Sequence, residues 1–169
     1  MSRSAWTVPE IDAESSFSTR SAYLLAGVTA SIVVALDRIT KLWAVDALVD
    51  GDVVAIDGIL EFELAFNSGA AYGLFKGGGS VIAVAAIIAS GLIVFALRSV
   101  DRRFEAITLG AIMGGALGNL IDRIVRGPGW FDGAVVDWIE TPLWPNFNIA
   151  DSAISVGAVL LILATIRRG

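Results

Sequence analysis

Residues 80–97 read SVIAVAAIIASGLIVFAL, a run without a single charged side chain. A helix needs about 20 mostly apolar residues to cross a bilayer, where every backbone polar group must find its partner within the protein. This stretch therefore predicts a transmembrane α-helix. Three further apolar stretches approach the same length, so we predict four spans at about residues 21–45, 80–97, 104–121 and 149–166.

The composition of the whole 169-residue chain also indicates a membrane protein. It is 56% hydrophobic and only 17% charged, with a mean hydropathy of +0.74, whereas soluble domains carry roughly a quarter charged residues. The net charge of −5 argues against nucleic acid as a partner, because nucleic-acid binding needs a basic surface. We predict one all-α membrane domain at residues 21–169, preceded by a disordered tail at residues 1–20.

The distribution of basic residues predicts the orientation. Seven of the twelve lie at the termini or between the second and third spans: Arg3, Arg20, Arg98, Arg102, Arg103, Arg167 and Arg168. Cytoplasmic segments carry an excess of Lys and Arg. Both termini are therefore expected in the cytoplasm, with the loops at 46–79 and 122–148 outside.

The two outer loops differ in pattern. Residues 53–75 contain short β-like runs broken by Asp57-Gly58 and by residues 67–69, which predicts a small antiparallel β element. Residues 122–148 are rich in Gly and Pro and are interpreted as an irregular loop. Five aromatic residues are expected at the outer membrane boundary: Trp43, Tyr72, Trp130, Trp138 and Trp144.

The chain contains neither Cys nor His. This excludes thiol nucleophiles, His-dependent triads and the usual zinc sites. Acid–base chemistry would fall to Asp, Glu, Lys or Tyr, and we expect no cofactor and no metal ion.

Polar residues gather at the outer ends of the predicted spans, where ionisable groups are costly and often functional. Asp37 and Lys41 stand four residues apart on the first helix, which fits either a local salt bridge or contact with a ligand. On the third helix, glycines at 110, 114 and 118 predict a close helix contact. Asn119, Asp122 and Arg123 follow on one face, as an interfacial ion pair or as ligand-binding groups.

Two further carboxylates suggest a shared site. Asp137 lies between apolar neighbours, and Asp151 begins the fourth helix after Asn148, where it could simply cap that helix. Two carboxylates held close together keep one proton between them, so that one activates water while the other donates a hydrogen bond. A Ser–Lys dyad is the alternative, and its candidates are Ser68, Ser80, Ser152 and Ser155 with Lys41 or Lys76.

Five short segments, taken in order, resemble the lipoprotein signal peptidase family, also called signal peptidase II. The segments are DRITK at 37–41, NSGAAYG at 67–73, GGALGNLIDR at 114–123, VVD at 135–137 and FNIAD at 147–151. Each motif alone is weak, but five in one order within a four-span frame are specific. The resemblance extends over about residues 21–166.

The resemblance implies an aspartic endopeptidase of the bacterial plasma membrane, active at the extracytoplasmic face. Its substrate would be a prolipoprotein whose Cys already carries diacylglyceryl, cut just before that Cys, and membrane lipids would be its other partners. Asp137 and Asp151 would be catalytic, and the family's β-cradle matches the predicted β element. Supporting or substrate-binding positions would be Asp37, Lys41, Asn67, Gly69, Asn119, Asp122, Arg123 and Asn148. We expect a monomer.

Some positions depart from the family pattern. Arg38 replaces the common Gln, Tyr72 and Trp138 replace Phe, and residues 128–133 lengthen a loop. These departures concern pocket lining more than the two aspartates. The rival interpretations are a small proton- or ion-coupled transporter, which would use the same carboxylates as a relay, and a non-catalytic membrane scaffold.

Overall fold

The structure, a computed structural model, describes residues 17–69, 78–127 and 129–167. Its helices are α1 (Thr19–Ala47), α2 (Gly79–Ala96, followed by the 3₁₀ turn Leu97–Ser99), α3 (Arg103–Val125) and α4 (Ile149–Ile166). All four are long and apolar enough to cross a membrane, as predicted. The predicted tail falls mostly at residues 1–16, outside the described residues. The last residues assigned to it, Thr19 and Arg20, already belong to α1.

Helix α3 is the centre of the bundle and packs against the other three helices. Of its most apolar stretch, 56% is buried inside the protein, compared with 11–22% for the other helices. The remaining apolar side chains of α1, α2 and α4 point outwards. This distribution suits a bilayer, because lipid is as good a solvent for Leu and Ile as the protein interior.

The glycine row of α3 makes the close helix contacts that its spacing predicts. A Cβ at Gly110 would lie 2.5 Å from the carbonyl oxygen of Ala26, and one at Gly114 would lie 2.8 Å from that of Ala30. Both partners belong to α1. A Cβ at Gly115 would instead meet the backbone of Ala150 at the start of α4. Two neighbouring helices thus approach α3 as closely as backbone permits.

The strands form one antiparallel sheet in the order β1-β2-β3-β4. They are β1 (Val53–Ile56), β2 (Leu60–Asn67), β3 (Val135–Thr141) and β4 (Trp144–Phe147). The first two confirm the predicted β element, and Gly58 in the turn between them has a φ of +67°, which favours glycine.

The interpretation of residues 122–148 as an irregular loop was wrong. Helix α3 continues to Val125, and strands β3 and β4 follow as a hairpin. Proline misled the interpretation because Pro142 lies in the tight turn and Pro145 lies on an edge strand, two places where a missing N–H costs little. The predicted β element is therefore half of a four-stranded sheet.

One face of the sheet packs on the end of α1. Val136 and Trp138 form a buried cluster with Ala44 and Leu48 of α1. The Trp138 ring also stands edge-on to the Trp43 ring, with centroids 5.3 Å apart. Trp138 is only 7% exposed, so its ring packs inside the protein; its depth at the outer membrane boundary stays a prediction. Successive strand residues point to opposite faces, so this packing turns Asp137 away from α1.

Candidate active site

Asp137 on β3 is held between two asparagines. Its Oδ2 accepts a hydrogen bond from Asn67 Nδ2 at 3.0 Å, and its Oδ1 accepts one from Asn148 Nδ2 at 2.7 Å. Asn67 ends β2, and the sheet register pairs its neighbouring residues with β3. The side chain is 2% exposed, so both the strand pairing and the hydrogen bonds fix its position.

Asp151 is fixed by the first turn of α4. Its Oδ2 accepts a hydrogen bond from the Asn148 N–H at 3.2 Å, while Asn148 Oδ1 accepts one from the Asp151 N–H at 2.9 Å. This reciprocal capping box satisfies two N–H groups that a helix start otherwise leaves unpaired. Asp151 therefore does cap α4, and Asn148 contacts both aspartates.

A relay of side chains connects Asp151 with α1. The Asp151 Oδ1 accepts a hydrogen bond from Asn119 Nδ2 at 2.7 Å. The other end of that amide, Asn119 Oδ1, accepts one from Lys41 Nζ at 2.8 Å. The ammonium group thereby orients the amide, so that its N–H side faces the carboxylate.

Behind this relay lies a buried ionic cluster, defined here as Asp37, Lys41 and Asp122. Lys41 Nζ lies 2.8 Å from Asp37 and 3.0 Å from Asp122, and all three side chains are fully buried. The predicted pair of Asp37 and Lys41 is confirmed. Asp37 Oδ1 also accepts from the Ala150 N–H at 3.0 Å, which joins the cluster to the start of α4.

Asp122 binds cations other than the neighbouring Arg123. Its Oδ1 lies 2.6 Å from Arg38 Nη1 and 3.0 Å from Arg126 Nε, and its Oδ2 accepts from the Val136 N–H at 3.3 Å. The sequence did not single out Arg126, and Arg38 entered only as a departure from the family pattern. The spacing of Arg126, four residues after Asp122 on one helix, was the available signal.

Arg123 instead connects two loops to the site. Its Nη2 donates to the Gly69 carbonyl at 2.8 Å and its Nη1 donates to the Gly133 carbonyl at 3.3 Å. Gly69 is itself positioned by Asn67, whose Oδ1 accepts its N–H at 3.0 Å. The guanidinium is 4% exposed. All ten residues predicted for the site therefore belong to one connected network.

Burial and the negative charge of Asp151 raise the pKa of Asp137 to about 7. The two asparagine amides and Lys41 act in the opposite direction, because they favour the charged carboxylate. A carboxyl group with this pKa exists in both protonation states near neutral pH, which suits a group that gives and takes a proton.

A cavity of about 460 Å³ opens beside the two aspartates. Its polar end contains Asp137 and Asp151 together with Asn67, Asn119 and Arg123. Its apolar wall consists of small and aliphatic side chains from α2, α3 and α4, which are Ile82, Ala85, Ala86, Ala89, Ile112, Ala116 and Ile154. The wall from α2 was missed in the sequence, where the small residues at 85, 86 and 89 on one helical face were the signal.

The Ser–Lys alternative loses one of its two lysines in this geometry. Lys41 is enclosed by Asp37, Asp122 and Asn119, which leaves its ammonium occupied by acceptors. Lys76 and Tyr72 lie outside the described residues. Within residues 17–69, 78–127 and 129–167, no group of three or more carboxylates is arranged to hold a metal ion; the expected metal-free site stays a prediction.

Residues 29–167 match the family model described as Signal peptidase (SPase) II. The chain belongs to the signal peptidase II family. A protein named lipoprotein signal peptidase from Rhodococcus jostii (strain RHA1) is 38% identical over 88% of this chain and 75% of its own length. One of the same name from Syntrophomonas wolfei subsp. wolfei is 39% identical over 82% of this chain and 90% of its own length.

A solved structure has the same fold. It is described as a bacterial membrane enzyme structure, and it superposes with a TM-score of 0.72 and 28% sequence identity over 89% of this chain and 95% of its own. Membership of the signal peptidase II family makes the chain a peptidase, and the four long apolar helices make it a multi-pass protein of the bacterial inner membrane.

Proposed function

We propose that the protein removes signal peptides from diacylglyceryl-modified prolipoproteins, cutting just before the lipidated Cys. Relatives that are 38% and 39% identical over the aligned residues carry the name lipoprotein signal peptidase. The cavity supports the same substrate, because carboxylates line one end and apolar side chains from three spanning helices line the other. A lipidated peptide needs both environments, because its scissile bond reacts at the carboxylates and its acyl chains need an apolar surface.

The mechanism is that of an aspartic peptidase, with the proton held by Asp137 before reaction. Asp151, at the positive end of the α4 dipole, takes a proton from a water molecule as its oxygen attacks the scissile carbonyl carbon. Asp137 donates its proton to the carbonyl oxygen. Collapse of the tetrahedral intermediate breaks the C–N bond: a proton passes from Asp151 to the leaving amine, and Asp137 takes one back from a hydroxyl of the intermediate, which leaves a carboxylic acid product and restores both aspartates.

The observation that carries this proposal is that Asn148 hydrogen-bonds to both carboxylates. It donates a side-chain hydrogen bond to Asp137 and a backbone hydrogen bond to Asp151, at the polar end of the cavity. Hydrogen bonds from one residue hold the two carboxylates in a defined position relative to each other. That arrangement is what a pair acting on one water molecule needs.

The distribution of polar groups favours the peptidase over a transporter. Between Thr108 and Asn119, helix α3 presents only Gly and apolar side chains. A proton or ion path needs polar groups through the middle of the membrane. The central helix supplies none over that length, whereas its sheet-side end holds the whole network.

A gel-mobility assay with purified enzyme and a diacylglyceryl-modified prolipoprotein tests the proposal. Asp137→Asn and Asp151→Asn should each lower turnover by roughly 10²–10⁴-fold or more, because an amide cannot relay the proton. Asp46→Asn, at an exposed position on α1, is the matched control and should cleave normally. Retained turnover in either dyad variant removes that residue from the mechanism. Failure of folded wild type on several lipidated substrates rejects the function.

A further inference from the structure

Strand β4 is an edge strand that borders the cavity. Among the described strands it pairs only with β3. All four of its consecutive residues, Trp144 to Phe147, line the cavity. The register against β3 shifts by one residue between the Thr141–Trp144 and Ile139–Phe147 pairs, so β4 carries a bulge, and the strand borders the cavity along its whole length.

Next to the turn, the sheet register identifies what faces the edge of β4 that is turned away from β3, here called the open edge. Thr141 pairs with Trp144 across a two-residue turn, so Trp144 directs its C=O towards β3. In the same peptide plane, the nitrogen of Pro145 points the other way, to the open edge, where proline has no hydrogen to donate. The open edge therefore has no N–H donor at Pro145.

The open edge of β4 leads directly into the two aspartates. Asn148 follows Phe147 and contacts both carboxylates. A peptide whose scissile bond lies at the aspartates therefore has β4 beside it on one side of that bond. The apolar wall between α2, α3 and α4 is on the other side.

We propose that the residues after the lipidated Cys bind as an added strand along β4, antiparallel to it; this rests on the proposed function. The acyl chains and the apolar signal segment occupy the wall between the helices, so the mature part of the substrate is the part left for the sheet. It starts at the aspartates and follows β4 back towards Trp144. Since β4 runs towards the aspartates, the two strands run in opposite directions.

Recognition by this edge has two consequences. Main-chain hydrogen bonds supply affinity without reading side chains, so substrates with different residues after the Cys are all accepted. The pairing is also short, because a strand of four residues is about 13 Å long. Pro145 removes one donor from the edge and so protects it from pairing with free strands, whereas a substrate already held by its lipid stays close enough to pair.

An ester scan of a lipidated peptide substrate tests the inference. Single amide bonds at the second, third and fourth residues, counted from the Cys, are replaced by esters, which removes one N–H donor at a time. We expect kcat/KM with full-length enzyme to fall about three- to tenfold at alternate residues, those whose N–H faces β4, with little change at the residues between them. An ester at the seventh residue, beyond the reach of β4, is the control and should have no effect.

An enzyme variant assigns the pairing to β4. Pro145→Ala adds an N–H to the open edge, and we expect it to raise kcat/KM for the all-amide substrate about two- to tenfold. Uniform ester effects at all three positions, no effect at any of them, or no gain in Pro145→Ala would each overturn the added strand while cleavage of the all-amide substrate persists. Loss of cleavage of that substrate by wild type would instead reject the proposed function.

Discussion

At the scale of single residues, the titration of Asp137 links catalysis with stability. Its pKa of about 7 in the folded protein exceeds the ordinary 3.8 of an unfolded Asp, so the folded state binds the proton more tightly. Protonation of Asp137 therefore adds to the free energy of unfolding. This contribution is fully present below about pH 3.8, declines as pH rises to about 7, and does not change further above that pH. At 1.36 kcal/mol per pKa unit, the loss amounts to about 4 kcal/mol.

Asp137→Asn removes this titration. We therefore expect the melting temperature of the variant in detergent, relative to that of wild type, to rise as pH is raised from 4 to 8. The altered hydrogen bonds to Asn67 and Asn148 shift the melting temperature of the variant by the same amount at every pH. The measurement is therefore how the difference in melting temperature between variant and wild type changes with pH. Asp46→Asn should follow wild type at every pH. A difference that stays constant, or that moves in favour of wild type, contradicts the raised pKa.

Lys41 is the residue on which the buried ionic cluster depends for its charge balance. Lys41→Met leaves Asp37 fully buried without its cation, and breaking a buried pair in this way costs about 3–5 kcal/mol. Arg126→Met is the matched control: it removes a partly exposed cation from Asp122, which keeps Arg38 and Lys41. We expect thermal unfolding in detergent to show a large loss for the first variant and a small one for the second. Equal losses would contradict the central role of Lys41.

At the scale of elements, the contact of α3 with α4 positions the catalytic pair. Gly115 faces the backbone of Ala150, the residue before Asp151. Gly115→Ala forces the start of α4 away from α3, so we expect lower stability and a fall in kcat of at least about tenfold from displacement of Asp151. Turnover and melting temperature, measured on the same preparation, check this.

Gly91→Ala on α2 is the control for that substitution, because nothing lies within 4 Å of its added Cβ. It should keep full activity and gain about 0.5–1 kcal/mol of stability from higher helix propensity. If Gly115→Ala behaves like Gly91→Ala, the close contact of α3 with α4 does not position Asp151.

The same elements explain what the sequence could predict. Long apolar runs such as residues 80–97 have one physical solution in lipid, so four helices followed from hydropathy alone. Strands β3 and β4 did not follow, because Pro142 and Pro145 are typical of loops unless the edge position is known. A period-2 strand pattern over four residues is also too short to outweigh them.

At the scale of the whole molecule, the predicted site residues converge because the fold joins distant segments. Asn67 and Asp137 meet through sheet pairing, and Lys41 meets Asn119 through the glycine contact of α1 with α3. Residue types and motif order identified these positions, whereas spacing gave neither the bridging role of Asn148 nor the cations on Asp122. Those contacts arise only when four helices and a sheet close on one another.

The orientation of the molecule in the membrane can be tested because the chain has no Cys of its own. Leu143→Cys reports on the β3–β4 turn, where the side chain is 92% exposed, and Ser99→Cys reports on the exposed connection between α2 and α3. In spheroplasts, a membrane-impermeant maleimide should label Leu143→Cys at once and Ser99→Cys only after lysis, because the basic 98–103 segment is expected in the cytoplasm. The reverse pattern would move the site to the cytoplasmic face, where a substrate already translocated could not reach Asp137 and Asp151. The unsubstituted chain sets the labelling background, and cleavage by each variant verifies that it is folded.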